Sequence, residues 1–334
     1  MSNVENRPAE QEVCSAGSAI ATEPDAELLH PREVPLGGPR AMRVRRALPN
    51  RDRRMVGAWC FADSYGPTDI TRQPGMQVPP HPHTGLQTVT WLVEGEVWHQ
   101  DSVGSRQLVR PGQLPLMTAG HGIAHSEQSP PEHSARLYGA QLWVALPERS
   151  RHVAPAFEFY DSLPRHELRD GAITVLAGEV DGAVSPARTH SPLVGACLSL
   201  PGGGSLPVPL EPDFEHAVLA LSPGLIAEDV PVPVGAMLYL GRGRNETRIS
   251  AQPGGQALLL GGEPFREDLV MWWNFVGRSH EDVVAARETW EAEHDSDAAE
   301  RRFGAVHGYD GPALPAPSLP HARLKARSRY HPHR

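Results

Sequence analysis

The stretch VPPHPHTGLQTVTWLVEGE, residues 78–96, carries the pattern that decides the fold. From Thr88 onward its side chains divide onto two faces with a period of two, which predicts a β-strand. Glu94 and Gly95 then offer a turn or a bulge, and EVWHQD, residues 96–101, resumes as a second strand. The stretch therefore predicts a pair of short strands with a tight connection.

His81 and His83 precede the first of these strands, and the proline between them favours extended backbone. Residues two apart in an extended chain project from the same face, so both imidazoles point in one direction. The spacing alone means little, because 17 histidines in 334 residues produce about one such pair by chance. A second His-Pro-His, at residues 331–333, has no strand pattern around it, and we predict that it is not a site.

A matching pair lies 42 residues beyond His83, in MTAGHGIAHSEQS, where His125 and Glu127 are again two residues apart. Two such pairs on facing strands of a barrel would direct three imidazoles and one carboxylate toward a common centre. Nitrogen and oxygen ligands without a thiolate suit Fe(II), Mn, Ni, Co or Zn, and they leave positions open for water or substrate. The alternative is that these are surface histidines on unrelated loops.

Composition excludes several classes of protein. The net charge of −9 argues against nonspecific binding to nucleic acid or to an anionic membrane. No apolar run is long enough to span a bilayer, and the acidic N-terminus does not resemble a signal peptide. We interpret the basic run at residues 40–54 as a solvated strand and turn, with a basic surface patch as the alternative. Cys14, Cys60 and Cys197 are predicted to be free thiols in a reducing cytoplasm.

The 32 glycines and 34 prolines punctuate short runs rich in Val, Leu, Thr and Trp, which predicts an all-β chain. A helix is expected near residues 280–295, where Ser279 precedes an acidic first turn. Residues 1–27 and the Pro-rich, basic end from about Gly311 are predicted to be disordered.

Three stretches resemble the pirin family of bicupins over residues 55–147: PPHPHTGLQTVTWLVEGEV, DSVGSRQLVRPGQLPLMTAGHGIAHSE and LYGAQLWVALP. A weaker likeness continues to about residue 290. The resemblance implies two tandem cupin barrels of jelly-roll type with a short C-terminal helix. The expected divisions are a disordered acidic tail, a metal-binding barrel, a second barrel with the helix and a Pro-rich basic tail, at residues 1–27, 28–158, 159–303 and 304–334.

In pirins the corresponding residues bind one iron, which implies a metal site made of His81, His83, His125 and Glu127. Fe(II) is the expected ion, with Mn, Ni, Co or Zn as alternatives. Gln87 stands where the family usually has Glu, and it is expected near the pocket.

Three further histidines lie in the chain at positions that bear on the site. His121 stands where the family usually has Arg, either as a group that makes the pocket charge depend on pH or as a surface residue. His99 is predicted to line the barrel or its surface rather than to act as a fifth ligand. The second half lacks a His-x-His pair, so its His216 is predicted to be structural and that barrel to lack metal.

Trp272 and Trp273 are predicted to pack in a core or between domains.

Two functions from different classes follow from the resemblance. The first is a flavonol 2,3-dioxygenase of the quercetinase type, with Glu127 as the base that accepts a proton from the flavonol. The second is a cytoplasmic, iron-dependent regulator that binds a protein partner rather than DNA. A structural bicupin with a vestigial site is disfavoured because all four ligands are present.

Overall fold

The computed structural model describes residues 12–14, 26–35, 42–294 and 301–326. The strands of the first half are, in chain order, β1 (Glu12–Cys14), β2 (Glu27–Leu29), β3 (Arg32–Pro35), β4 (Arg43–Leu48), β5 (Trp59–Asp69), β6 (Gln77–His83), β7 (Leu86–Glu94), β8 (Val97–Asp101), β9 (Arg106–Val109), β10 (Leu114–Thr118), β11 (Ile123–Gln128), β12 (Arg136–Ala145) and β13 (Ala156–Tyr160).

The second half continues with strands and ends in one helix. These elements are β14 (Arg165–Leu168), β15 (Gly171–Ala177), β16 (Glu179–Val180), β17 (Ala183–Val184), β18 (Leu193–Leu200), β19 (Gly204–Pro209), β20 (Glu215–Ala220), β21 (Leu225–Ala227), β22 (Val230–Val232), β23 (Met237–Gly241), β24 (Glu246–Ala251), β25 (Gly255–Gly262), β26 (Leu269–Trp272), β27 (Phe275–Gly277) and α1 (His280–His294). The all-β prediction and the predicted helix are confirmed.

The N-terminal barrel is built from two facing antiparallel sheets. One has the strand order β13-β10-β7-β12-β5-β4-β3, and the other has the order β6-β11-β8-β9. The predicted strand pair at the opening stretch is present as β7 and β8, but the connection carries the chain from one sheet to the other. Side chains from the two inner faces meet between the sheets, as in other jelly rolls.

The C-terminal barrel repeats this arrangement. Its larger sheet has the order β14-β15-β18-β25-β20-β23-β2, and its smaller sheet has the order β19-β24-β21-β22. β2 precedes the N-terminal barrel in the chain yet pairs with β23. The prediction of disorder for residues 1–27 is wrong for β1, which pairs with β26, and for Glu27, which pairs with Tyr239. The other residues before Ala26 lie outside the described part.

A shared hydrophobic core joins the two barrels. It includes Phe61 and Trp143 from the first half and Leu219 and Leu258 from the second. At its centre the indole of Trp59 donates to the carbonyl oxygens of Val194 and Gly261, both at 3.1 Å. Because the larger sheets of both barrels contribute to one apolar layer, the two halves pack back to back.

The helix α1 begins with reciprocal caps, since Ser279 Oγ accepts from the Asp282 amide at 3.2 Å and the Asp282 carboxylate accepts from the Ser279 amide at 3.2 Å. Its apolar side chains pack with the aromatic residues of β26 and β27. This satellite core contains Ala124, Val270, Trp272, Trp273, Phe275, Val283, Ala286, Trp290, Phe303, Ala316 and Leu324. The predicted packing role of the tryptophan pair is confirmed.

Residues 301–326 lie along the smaller sheet of the N-terminal barrel. The amide of Ala124 donates to the carbonyl of Phe303 at 2.9 Å, and the amide of Leu314 donates to the carbonyl of Pro80 at 2.8 Å. Phe303 and Leu324 are buried. The prediction of disorder is therefore wrong for residues 311–326, because a few apolar side chains anchor an otherwise polar segment. The second His-Pro-His lies outside the described residues.

The basic run at residues 40–54 is not simply solvated. Arg46 is buried and makes a two-pronged ion pair with Asp63 at 2.8 and 2.9 Å. Arg53, also buried, stacks on Tyr239 with its guanidinium carbon 3.4 Å from the ring centre. These arginines hold the barrels' strands in place, so the prediction was wrong for them.

Among the described residues, no helix has the length and hydropathy to cross a membrane.

Candidate metal centre

Three histidines meet inside the N-terminal barrel. β6 carries His81 and His83, β11 carries His125, and the antiparallel register places His125 opposite His81. One nitrogen of each imidazole lies within 4.8 Å of the others, and the Nε2 atoms of His83 and His125 are 3.1 Å apart. The side chains are 0%, 0% and 1% exposed. The structure therefore brings together all three histidines that the spacing predicted.

Burial keeps these imidazoles uncharged. It lowers the pKa of His81 to about 4. Burial, followed by the influence of neighbouring imidazoles, holds the pKa values of His83 and His125 well below their ordinary value. The neutral imidazole is the form that donates a lone pair to a metal. A cation entering this cluster at neutral pH would not have to displace protons from it.

The Nδ1 atoms of two cluster histidines have partners outside the cluster. His81 Nδ1 lies 2.8 Å from the carbonyl oxygen of Pro79, and His125 Nδ1 lies 3.4 Å from Nδ1 of His99. Such contacts fix the plane and the tautomer of a ring. With Nδ1 engaged, Nε2 is the atom that each ring offers to the centre.

The hairpin of β26 and β27 closes the barrel next to His83. The amide of Val276 donates to the carbonyl of Thr84 at 3.1 Å, and Thr84 forms a bridge with Phe275. Gly85 permits this approach because its φ is +69° and a Cβ there would overlap the carbonyl oxygen of Val276. The glycine after the His-x-His pair thus lets the second half support the cluster.

Glu127 lies on β11 beside the cluster, after a register shift that begins at His125. Its carboxylate is buried, and Oε1 lies 3.3 Å from the hydroxyl of Thr90. That hydroxyl is also 2.9 Å from Oε1 of Gln141. Among the described residues, the group of ligand atoms within 4.8 Å consists of the three imidazoles and does not include Glu127. The carboxylate is near enough for its charge to raise the pKa of His81, against the larger effect of burial.

Tyr65 is a further polar group in this interior that the sequence did not indicate. Its side chain is fully buried, and in the described part of the chain its hydroxyl has no hydrogen-bond partner. Burial, and then the charge of Glu127, raise the pKa of Tyr65 well above its ordinary value. The phenol therefore stays protonated close to that carboxylate.

The two departures from the family pattern do not face the cluster. Gln87 and Thr90 lie on opposite faces of β7, because they are three residues apart on the strand. The Gln87 amide donates to the Thr118 hydroxyl at 2.9 Å and to the carbonyl of Arg188 at 3.0 Å. Arg188 belongs to the second half, so Gln87 contacts the interface between the barrels. The expectation that Gln87 lies near the pocket is wrong. His121 has an exposed side chain, as the surface interpretation proposed.

His99 lines the barrel, as predicted, but its contacts are more specific than a lining role requires. Its Nε2 lies 3.0 Å from Oδ2 of Asp101, and its ring stacks on Phe157 with the ring centres 4.3 Å apart. Sequence reasoning missed Asp101. The signal was present in the His-x-Asp spacing of β8, which repeats the two-residue spacing of the ligand pairs.

Comparison with known proteins agrees with this architecture. The family model described as Pirin matches residues 41–144, and the Pirin C-terminal cupin domain matches residues 196–295. The chain belongs to the pirin family. Its two barrels are therefore cupin barrels in tandem, and the resemblance seen in the sequence is confirmed.

Several relatives within the pirin family are similar over most of their length. A Pseudomonas aeruginosa protein provisionally named as a quercetin 2,3-dioxygenase is 44% identical over 86% of this chain and 89% of its own. A pirin-like protein of Caulobacter vibrioides is 35% identical over 75% and 88%, respectively. The crystal structure of a quercetin 2,3-dioxygenase from Acinetobacter baumannii has a TM-score of 0.83 and 41% identity, covering 90% of this chain and 98% of that one.

Proposed function

We propose that this pirin is a metal-dependent dioxygenase that opens flavonols, of the quercetin 2,3-dioxygenase type. The observation that carries the proposal is the convergence of three buried, uncharged imidazoles, with the buried carboxylate of Glu127 near enough for its charge to act on His81. The names of the Pseudomonas aeruginosa and Acinetobacter baumannii relatives supply the substrate class. Similarity at 41–44% identity over most of the chain supports the same class of small aromatic substrate.

The residues that would hold the metal are His81, His83, His125 and Glu127. Three nitrogens and one oxygen suit Fe(II), our first choice, and also Mn, Ni, Co or Zn. The donor set fits a metal because the imidazoles are uncharged and two of them already have Nδ1 engaged. When bound, the ion supplies Lewis acidity and a template for the flavonol and dioxygen.

Glu127 is the group that we assign as the base. A flavonol must lose its 3-hydroxyl proton before dioxygen can attack the ring, and a carboxylate at hydrogen-bonding distance can accept it. The hydroxyl of Thr90 lies 3.3 Å from Oε1 and orients the carboxylate. Burial of the barrel interior keeps bulk water from competing for this proton.

The proposal is tested by metal content and oxygen uptake in three variants after anaerobic reconstitution with Fe(II). His83→Ala and His125→Ala are expected to lose the bound metal, because water cannot replace an imidazole at equal affinity. Glu127→Gln keeps the shape and is expected to retain more metal than either, while flavonol turnover collapses for lack of a base. His216→Gln is the matched control, since His216 is an equally buried histidine in the other barrel.

Each outcome has a distinct meaning. Tight binding of one metal per chain in both histidine variants would place the site elsewhere. Normal turnover by Glu127→Gln would leave the site standing but remove Glu127 as its base. Wild-type protein that binds iron, does not turn over flavonols and binds a protein partner in an iron-dependent way would be the regulator instead.

A further inference from the structure

A chain of three polar side chains leads from the β8 turn to the histidine cluster. Oδ2 of Asp101 lies 3.0 Å from Nε2 of His99. Nδ1 of His99 lies 3.4 Å from Nδ1 of His125. The register of β8 and β11 places Asp101 opposite His125, so the three groups lie side by side on the inner face of the smaller sheet.

Proton counting along this chain leaves one consistent arrangement for neutral rings. A carboxylate can only accept hydrogen bonds, so Nε2 of His99 must carry the proton that it donates to Asp101. Nδ1 of His99 is then an acceptor, and Nδ1 of His125 must donate to it. The remaining nitrogen of His125, Nε2, keeps its lone pair, and it is the atom 3.1 Å from Nε2 of His83.

We infer that Asp101 and His99 are positioning residues that set the tautomer of His125 so that its Nε2 lone pair faces the centre of the cluster. The inference rests on the proposed metal site and deepens it. Orienting groups behind a ligand are worth roughly 10- to 100-fold in metal affinity.

Asp101 and His99, which together we call the relay, are each held by a second contact. Oδ1 of Asp101 accepts from the amides of Val103 and Ser105 at 3.0 and 2.9 Å, which fixes the carboxylate in the turn. The ring of His99 stacks on Phe157 with an angle of 12° between the planes. Neither ring plane nor carboxylate can therefore turn without losing a second contact.

Asp101→Asn is the decisive substitution because it reverses the direction of the chain. The amide oxygen of Asn can still cap the turn, while its NH₂ group donates to Nε2 of His99. Nδ1 of His99 then becomes a donor, Nδ1 of His125 an acceptor, and the proton of His125 moves to Nε2, where it blocks the lone pair. Asp101→Ala removes the acceptor without imposing the wrong tautomer.

Nitrogen-15 NMR of histidine-labelled, metal-free protein reads the tautomers directly. We expect His125 to carry its proton on Nδ1 in the wild type and on Nε2 in Asp101→Asn. Affinity for Zn²⁺ or Mn²⁺ alone is expected to fall roughly 10- to 100-fold in Asp101→Asn and less in Asp101→Ala. Thermal stability is expected to fall more in Asp101→Ala than in Asp101→Asn, because only the Ala variant also loses the cap of the turn. A purely structural carboxylate would make Ala the worse variant in both measurements.

The outcomes separate this inference from the proposed site. An Nε2-protonated His125 in the wild type, or an imidazolium at His99, would overturn the relay. Unchanged metal affinity in Asp101→Asn would overturn it as well. Loss of metal in His125→Ala with normal affinity in Asp101→Asn keeps the site and discards the relay, whereas metal retained in His125→Ala contradicts the site itself.

Discussion

At the scale of single residues, His216 offers a pH dependence that is separate from the metal centre. Burial lowers its pKa to about 4, whereas the unfolded chain protonates near 6.5. Above pH 6.5 neither state binds the proton, so this histidine does not affect stability there. As the pH falls toward 4 only the unfolded state binds it, and stability decreases by about 1.4 kcal/mol per pH unit.

Between pH 7 and pH 5 the free energy of unfolding of His216→Gln is therefore expected to fall by about 2 kcal/mol less than that of the wild type. Urea unfolding of the metal-free proteins at both pH values measures the difference, and the histidines of the cluster contribute equally to both proteins. His121→Gln, at an exposed histidine, serves as the control. The same pH dependence in all three proteins would show that His216 is not protonated on unfolding.

The ligand histidines could be predicted from the sequence, but the groups behind them could not. The pair at His81 and His83 can be recognised from its spacing alone, because residues two apart on a strand point to the same face. The contact of His99 with His125 requires the pairing of β8 with β11 and a particular ring orientation, which no local pattern contains. Gln87 was misplaced for a similar reason, since which face of β7 turns inward is set by the second barrel.

At the scale of elements, the hairpin of β26 and β27 stores strain in its turn. Trp273 has a φ of +53°, a conformation that costs a residue with a bulky side chain roughly 1–2 kcal/mol. Its indole is buried against Phe275, with the ring centres 5.5 Å apart. Truncating a buried tryptophan typically costs about 3–5 kcal/mol, so packing outweighs the strain.

Trp273→Gly is accordingly expected to destabilise the protein by roughly 3 kcal/mol despite relieving the backbone. Asp181→Gly is the matched control, because Asp181 has a φ of +49° but an exposed side chain. It is expected to change stability by less than about 0.5 kcal/mol. Chemical unfolding measures both, and a stabilised Trp273→Gly would mean that the strain dominates.

The strands and α1 could be predicted because local pattern and tertiary burial agree. The segment of residues 301–326 could not, because its Pro-rich composition averages out the few side chains that anchor it. Phe303 is held by rings that come from β27 and α1, 6.0 Å from Phe275 and 5.6 Å from Trp290 between ring centres. Those partners lie elsewhere in the chain, so the composition of residues 301–326 does not reveal the contacts.

At the scale of the whole molecule, the two ends of the C-terminal region are expected to behave differently. Truncation after Glu300 removes Phe303 and Leu324 from the satellite core, and we expect a loss of at least about 3 kcal/mol. Truncation after Tyr330 removes the second His-Pro-His and should leave melting temperature and metal stoichiometry unchanged. Calorimetry and metal analysis of both truncations test this, and a lost equivalent of metal in the shorter deletion would contradict it.

The shared core predicts that both barrels unfold together. Trp59 belongs to the first barrel, yet its indole donates to β18 and β25 of the second. A Cβ on Gly195 would lie 2.9 Å from that ring, so the second barrel is shaped around it. We expect one calorimetric transition in the wild type, with equal calorimetric and van't Hoff enthalpies.

Trp59→Ala should lower that single transition, and amide exchange should speed up in both halves, because the cavity opens at a surface that each barrel needs. The loss is expected to be about 3–5 kcal/mol. Trp98→Ala is the control, since Trp98 is a half-buried tryptophan of the first barrel that carries Arg106 on its ring. It should cost much less and leave exchange in the second half unchanged. If Trp59→Ala accelerated exchange in the first barrel alone, the barrels would be independent folding units, and support of the histidine cluster by the second half would have to come through the β26–β27 hairpin alone.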